Sequence, residues 1–155
     1  MALDNTLICR TQASDDQICE AIAHCCDAVA MEEDGLLRYT SPGLKGTILR
    51  STDFSKKLTH ETYGFTPTRE FLFRLDKFEG FQSGFNSMLC IVITLIRELV
   101  DDCVLQIGED TPVLLRKNKN ILLEISDDDQ NRKAMLTKIA EGIGDPYAFG
   151  NIPEF

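Results

Sequence analysis

Residues 64–81, GFTPTREFLFRLDKFEGF, mix aromatic, basic and acidic side chains and end where a long apolar segment begins. Apolar and charged side chains alternate in the second half of this stretch with the two-residue period of a β-strand, with Leu72 as the exception. The apolar members are Phe71, Phe73 and Leu75, and the charged members are Glu70, Arg74 and Asp76. The apolar side chains are therefore expected to face the core of a sheet.

The apolar segment that follows this strand predicts a long helix over about residues 81–100. Apolar side chains recur there at helical spacing and mark one buried stripe: Phe81, Phe85, Met88, Val92, Leu95 and Leu99. Cys90, Ile91 and Ile93 make the far side of the same helix apolar as well. The helix is therefore expected either at the centre of the fold or at an interface.

The rest of the chain predicts further strands and helices on both sides of this unit. Strand patterns occur at residues 3–10, 36–39, 47–51, 103–107, 113–116 and 121–125, and helix patterns at about residues 14–29 and 128–142. Residues 36–51 are expected to form a hairpin with a long loop, residues 52–66 a connector, and residues 147–155 an irregular tail. The order β-α-β-β-β-α-β-β-β-α indicates an α+β fold in which helices pack on a mostly antiparallel sheet.

Length and charge limit the classes of function. The 155 residues fit one globular domain that spans residues 1–155. A formal net charge of −9 disfavours binding to nucleic acid or to an anionic membrane, because both carry negative charge. A protein partner with a basic surface is therefore expected instead.

The cysteines and the apolar runs indicate the cellular compartment of the protein. Six cysteines lie within apolar periodic stretches, and the segment MALDNTLICR at the amino terminus has no basic leader or cleavable apolar stretch. The longest apolar run, residues 88–96, is shorter than the roughly 20 residues that span a bilayer. We therefore expect a cytoplasmic protein with buried free thiols in place of disulfides.

Three patterns resemble catalytic or metal motifs but lack the required spacing. The HCC segment at residues 24–26 places its side chains about 100° apart on a helix, whereas a zinc site needs two spaced pairs of ligands. THETYG at residues 59–64 begins like a zinc-protease motif, but Gly64 stands where the second histidine belongs. GLKGT at residues 43–47 has neither the glycine spacing nor the lysine position of a P-loop. No catalytic residue, metal or cofactor is therefore expected.

Two charged segments are the candidates for partner binding. One is the junction between the strand and the long helix, and the other is a run of three aspartates. The candidate residues are Asp76, Lys77, Glu79, Asp127, Asp128 and Asp129. Acids ahead of a helix commonly favour its positive end or are simply solvated, which is the structural interpretation. The functional interpretation is that these acids present an electronegative face to a basic ligand.

Four segments also resemble a known family. They are LDNTL at residues 3–7, GFTPT at 64–68, FRLDKFE at 73–79 and PVLLRKN at 112–118. On these segments the chain resembles the Sit-type immunity proteins of bacterial lineage-restricted killing systems. The resemblance implies a cytoplasmic protein that neutralises a delivered toxin by binding it. It assigns no role to individual residues, and the chain departs from the family in its cysteine-rich first helix and its run of aspartates.

Two other classes of function stay open at this point. A small enzyme could use His60 as a general base in a loop, and its turnover would then be lost when His60 is replaced. A homo-oligomeric accessory protein could associate through the apolar far side of the long helix, around Cys90, Ile91 and Ile93. That class predicts an oligomer in solution.

Overall fold

The structure, a computed structural model, describes residues 2–26, 29–33, 35–108, 110–125 and 129–155. In chain order its elements are β1 (Ala2–Thr11), α1 (Asp15–Cys25), β2 (Val29–Glu33), β3 (Leu36–Ser41), β4 (Leu44–Arg50), α2 (Asp53–Tyr63), β5 (Arg69–Asp76), α3 (Phe81–Glu98), β6 (Val100–Ile107), β7 (Thr111–Lys117), β8 (Asn120–Glu124), α4 (Gln130–Ile143) and β9 (Tyr147–Gly150). These strands form one sheet in the order β2-β3-β4-β5-β1-β6-β7-β8-β9. The predicted α+β class is confirmed, and so is the order of the predicted elements.

The sheet is antiparallel except at one edge, where β9 pairs parallel to β8. At its centre, β1 pairs with β5 on one side and with β6 on the other. Helices α1, α3 and α4 pack on one face of the sheet, which we call the helix face. Phe71, Phe73 and Leu75 of β5 are fully buried on that face, so the predicted core role of these side chains is confirmed.

Helix α3 lies between α1 and α4 and is central to the fold. Ile91 is fully buried, and Cys90 is joined by a disulfide to Cys25 of α1. On the other flank, Ile93 packs closely against Gly142 of α4. The far side of α3 is therefore covered by the chain's own helices, so its apolar character reflects internal packing.

The opposite face of the sheet carries a second, smaller apolar cluster. Its buried members are Ile8, Tyr63, Phe65, Val104 and Ile152. The hydroxyl group of Tyr63, at the end of α2, donates a hydrogen bond of 2.7 Å to the carbonyl of Pro153. Helix α2 and the carboxyl-terminal residues thus cover the centre of this face. On β4 and β5 the same face carries exposed side chains, and we call that part the exposed face.

Three segments differ from the sequence-based prediction. Residues 52–66, expected to be a connector, contain the 11-residue helix α2. Thr52 caps that helix by accepting a hydrogen bond from the backbone nitrogen of Ser55, but only Thr59 and Tyr63 are buried, so no apolar stripe marks it. The first helix ends at Cys25, and Val29 lies in β2. The expected irregular tail contains β9, a short edge strand held by a single neighbour.

The β3–β4 connection is a tight turn, although a long loop was expected. Only Pro42 and Gly43 separate the two strands, and Gly43 has a φ of +76°. Proline followed by a glycine with positive φ suits a tight turn, because proline presets its own φ and glycine tolerates the left-handed region. The other glycine of GLKGT, Gly46, lies in β4, where a Cβ would overlap the ring of Tyr39.

The expectation of free thiols is wrong for one pair of cysteines. Cys25 and Cys90 form a disulfide between α1 and α3, with their Cα atoms 6.0 Å apart. An argument from cellular compartment says nothing about which helices face each other, so it could not identify this pair. Cys9 and Cys103 are free and buried, and burial raises the pKa of the Cys103 thiol to about 12. Within the described ranges, no helix is both long and apolar enough to cross a bilayer.

Candidate functional site

The chain makes a sharp turn between β5 and α3. The carboxylate oxygen Oδ1 of Asp76 accepts hydrogen bonds from the backbone nitrogens of Phe78 and Glu79, at 2.9 Å and 3.2 Å. Because these bonds favour the ionised form, they lower the pKa of Asp76 below its ordinary value. Gly80 ends the turn with a φ of +71° and begins α3 without a side-chain cap. Asp76 therefore shapes the turn and does not cap the helix.

A second turn supports the first. The backbone nitrogen of Asp76 donates a hydrogen bond of 3.1 Å to the carbonyl of Gly43 in the β3–β4 turn. A Cβ on Gly43 would overlap the carbonyl of Gly80, and a Cβ on Gly84 would overlap the carbonyl of Gly43. Glycine at these positions lets the two turns and the first turn of α3 approach through their backbones. The 77–80 turn is thus fixed on both sides.

Phe78 projects from this fixed turn into solvent. It is 77% exposed, the highest value among the large exposed apolar side chains of the described residues. Lys77 and Glu79 on either side of it are exposed as well. The sequence analysis selected the three charged residues of this junction and did not include Phe78 among the candidates. The available signal was that the strand alternation stops at Asp76, so nothing requires Phe78 to point inward.

A shallow hollow of about 390 Å³ lies beside the turn. Its lining comes from the end of β3, the β3–β4 turn and the neighbouring ends of β4 and β5. The lining residues are Thr40, Ser41, Gly43, Leu44, Lys45, Arg74 and Asp76. Lys45 and Arg74 are exposed, whereas Leu44 is buried beneath them. A partly charged hollow therefore lies near the turn that carries Phe78, at the end of β5.

Of the run of aspartates, Asp129 lies at the same end of the sheet but not beside this hollow. Asp127 and Asp128 fall outside the described residues, whereas Asp129 caps α4 by accepting a hydrogen bond of 2.9 Å from the backbone nitrogen of Arg132. Because β6, β7 and β8 alternate in direction, β8 ends at the end of the sheet where β5 ends. Four strand spacings separate the two ends, on the order of 19 Å. Asp110, exposed between β6 and β7, lies at this end too.

Both histidines are exposed on helices. His60 is exposed on α2, and the contact recorded for its Nδ1 is with the Thr66 hydroxyl at 3.4 Å. His24 is exposed on α1, with Nε2 3.7 Å from a carboxylate oxygen of Glu20. In the part of the chain that the structure describes, no three side chains of His, Cys, Asp or Glu are grouped so that they could hold a metal ion.

Comparison with known proteins gives one match. A family model described as SitI3-like matches residues 3–133, which include the 77–80 turn and the segments around it. No curated protein and no solved structure shows significant similarity to the chain. The family match covers most of the chain.

Proposed function

Because the chain belongs to the SitI3-like family, we propose that it is an immunity-type protein that neutralises a bacterial toxin by binding it directly. It acts as one domain in the cytoplasm, as the family resemblance implies, although a disulfide such as Cys25–Cys90 is rare in that compartment. Binding alone blocks the toxin, so no catalytic step, metal or cofactor takes part. The proposal gives the surface around the 77–80 turn the role of contact site.

The exposure of Phe78 on this turn is the single observation that supports the choice of contact site. Large aromatic side chains at the centre of an interface contribute much of its binding energy, and ordering a mobile loop on binding costs affinity. Phe78 is 77% exposed on a turn that Asp76 already holds by two backbone hydrogen bonds. The backbone that carries the ring therefore loses little further conformational freedom when a partner binds. Lys77 and Glu79 then form a charged rim around the ring.

The acidic residues at this end of the sheet favour a toxin with a basic surface. Asp76, Glu79, Asp110 and Asp129 lie there. Asp127 and Asp128 directly precede Asp129 in the sequence and stay candidate contacts for the partner. With a net charge of −9, the protein attracts a basic partner over several ångströms and speeds encounter. Association should therefore slow when sodium chloride is raised, since salt screens exposed charges. A salt-independent association rate would contradict the role of these acids.

The function is tested by co-expression with the product of the neighbouring gene. Cells that make this product alone should die, and cells that also make the wild-type protein should survive and yield a complex on purification. Phe78→Ala should lose both rescue and complex. Phe54→Ala is the matched control, because Phe54 is 75% exposed on α2, away from the turn. Equal effects of the two variants on rescue would contradict the proposed contact site. If the neighbouring gene's product is harmless, or if it kills cells even when the wild-type protein is present, the proposed function is contradicted.

A further inference from the structure

Two cations lie directly opposite each other on the exposed face. In the β4–β5 register Lys45 pairs with Arg74, so both side chains leave the sheet on the same side, with Cα atoms about 5 Å apart. Both side chains are exposed. Like charges at directly opposed positions repel and destabilise a sheet. This pair therefore works against the stability of the free protein.

Neighbouring charges offset part of this repulsion. Asp4 is opposite Arg74 in the β1–β5 register, with Oδ1 3.9 Å from Nε, but the two side chains are 64% and 66% exposed, so solvent weakens their attraction. Asp76 lies two residues further along β5, and its carboxylate is held by the backbone of the turn. Arg38 adds a further cation on β3, opposite Thr47 and diagonal to Lys45. An additional anion between Lys45 and Arg74 would reduce the repulsion between the two cations.

The position of the pair makes such an anion accessible to a bound protein. Lys45 and Arg74 line the 390 Å³ hollow, and Asp76 of the Phe78 turn lines it as well. Because Phe78 is only two residues from Asp76, a partner surface that packs on Phe78 would also lie close to this hollow. One side chain of that surface, pointing inward, would reach both cations.

We propose that Lys45 and Arg74 together bind a carboxylate side chain, aspartate or glutamate, of the protein partner, inserted into the hollow beside Phe78. The inference rests on the proposed function, because the toxin is the occupant. A carboxylate accepts hydrogen bonds from an ammonium and a guanidinium group at once, and these bonds strengthen when the interface excludes water. The toxin therefore presents an acidic residue next to its basic contact surface. That pairing of opposite charges makes the interface selective.

The test compares Lys45→Gln with Lys138→Gln. Each variant removes one exposed lysine charge, but Lys138 lies on α4, across the sheet from the hollow. Binding of the neighbouring gene's product to each purified variant is measured by calorimetry, and melting of each variant alone by circular dichroism. We expect Lys45→Gln to weaken binding by about tenfold or more, and Lys138→Gln to change it by less than about twofold. Melting of Lys45→Gln should be unchanged or shifted upward, because the repulsion is removed.

The possible results separate this inference from the function on which it rests. If the wild-type protein fails to bind the product, the proposed function fails. If the wild type binds and both Lys45→Gln and Arg74→Gln bind equally well, only the inference is overturned. A variant that melts at a much lower temperature but binds with unchanged affinity would show that the pair stabilises the fold, and would overturn the inference. Capture of a single-stranded oligonucleotide by the wild type, lost in Lys45→Gln, would assign the pair to phosphate and also overturn the inference.

Discussion

Asp76 Oδ1 lies 2.9 Å from the backbone nitrogen of Phe78, and this contact joins an acidic side chain at the end of β5 to the exposed aromatic residue of the turn. One side chain thus has two separable properties, a charge and a hydrogen-bond acceptor. The charge acts on a partner at a distance, and the acceptor sets the path of the backbone that carries Phe78.

Replacing Asp76 should separate these two properties. Asp76→Asn keeps an acceptor oxygen and removes the charge, whereas Asp76→Ala removes both. We expect the asparagine variant to retain slow exchange of the Phe78 and Glu79 amide hydrogens and to slow association with the partner. The alanine variant should also lose the slow exchange and weaken binding further. Hydrogen exchange by NMR and binding kinetics measure the two effects, and identical behaviour of both variants would show that the acceptor does not order the turn.

The turn should persist below the ordinary pKa of an aspartate. The pKa of Asp76 is lowered by the two backbone hydrogen bonds, so the carboxylate favours folding above its unfolded pKa of about 3.9. That contribution is lost as pH falls through the lower, folded value. The Phe78 and Glu79 amide shifts should therefore titrate together with a midpoint below about 3.9. A midpoint at or above that value would contradict the assignment, and Asp76→Asn, which does not titrate, is the control.

Asp145 should be needed for the stability of the sheet. Its Oδ2 accepts a hydrogen bond of 2.7 Å from Nε of Arg116, whose side chain is 7% exposed and also donates to the carbonyls of Val100 and Asp101. Asp145→Ala leaves a buried guanidinium without its counter-charge, at a cost of about 2–4 kcal/mol in the free energy of unfolding. Arg97→Ala, which removes an exposed pair, should cost less than about 1 kcal/mol.

Urea unfolding measures both variants under the same conditions. If Asp145→Ala lowered the free energy of unfolding no more than Arg97→Ala, the hydrogen bonds to the carbonyls of Val100 and Asp101 would be sufficient to stabilise the buried Arg116 side chain.

Gly84→Ala should destabilise the protein although alanine normally favours a helix. At an ordinary helical site this change stabilises by about 0.5–1 kcal/mol. Here the added Cβ would overlap the carbonyl of Gly43, so we expect a loss of about 1–3 kcal/mol and a displaced β3–β4 turn. Gly142→Ala is the comparison, because the nearest atoms to its Cβ would be side-chain atoms of Ile93 at 3.1 Å and not backbone. Thermal unfolding of both variants measures the difference, and a stabilised Gly84→Ala would mean that the turn can move without cost.

Sequence alone predicts the elements that bury one clear face. The alternation of β5 and the apolar stripe of α3 were sufficient, since both elements contribute fully buried side chains to the helix face. Helix α2 lacks that signal because only two of its residues are buried, and β9 is four residues long at an edge. The alternating pattern of β9 is therefore too short to be recognised in the sequence.

The candidate site was predictable only in part, for a different reason. The charged junction at Asp76, Lys77 and Glu79 is visible as a local sequence feature, but the exposure of Phe78 depends on hydrogen bonds that only the folded turn reveals. The pairing of Lys45 with Arg74 depends on the register between two strands. No local pattern connects residues that lie so far apart in the chain.

The central position of β1 also affects how the protein is made. Its two neighbours, β5 and β6, are residues 69–76 and 100–107, so the ribosome completes β1 long before either of them. At about 5–20 residues per second, roughly 5–20 s pass before both edges of β1 can be paired. During that interval the nascent chain exposes an apolar strand with open edges, which favours aggregation. Truncated translation products that stop before β6 should therefore require chaperones to stay in solution.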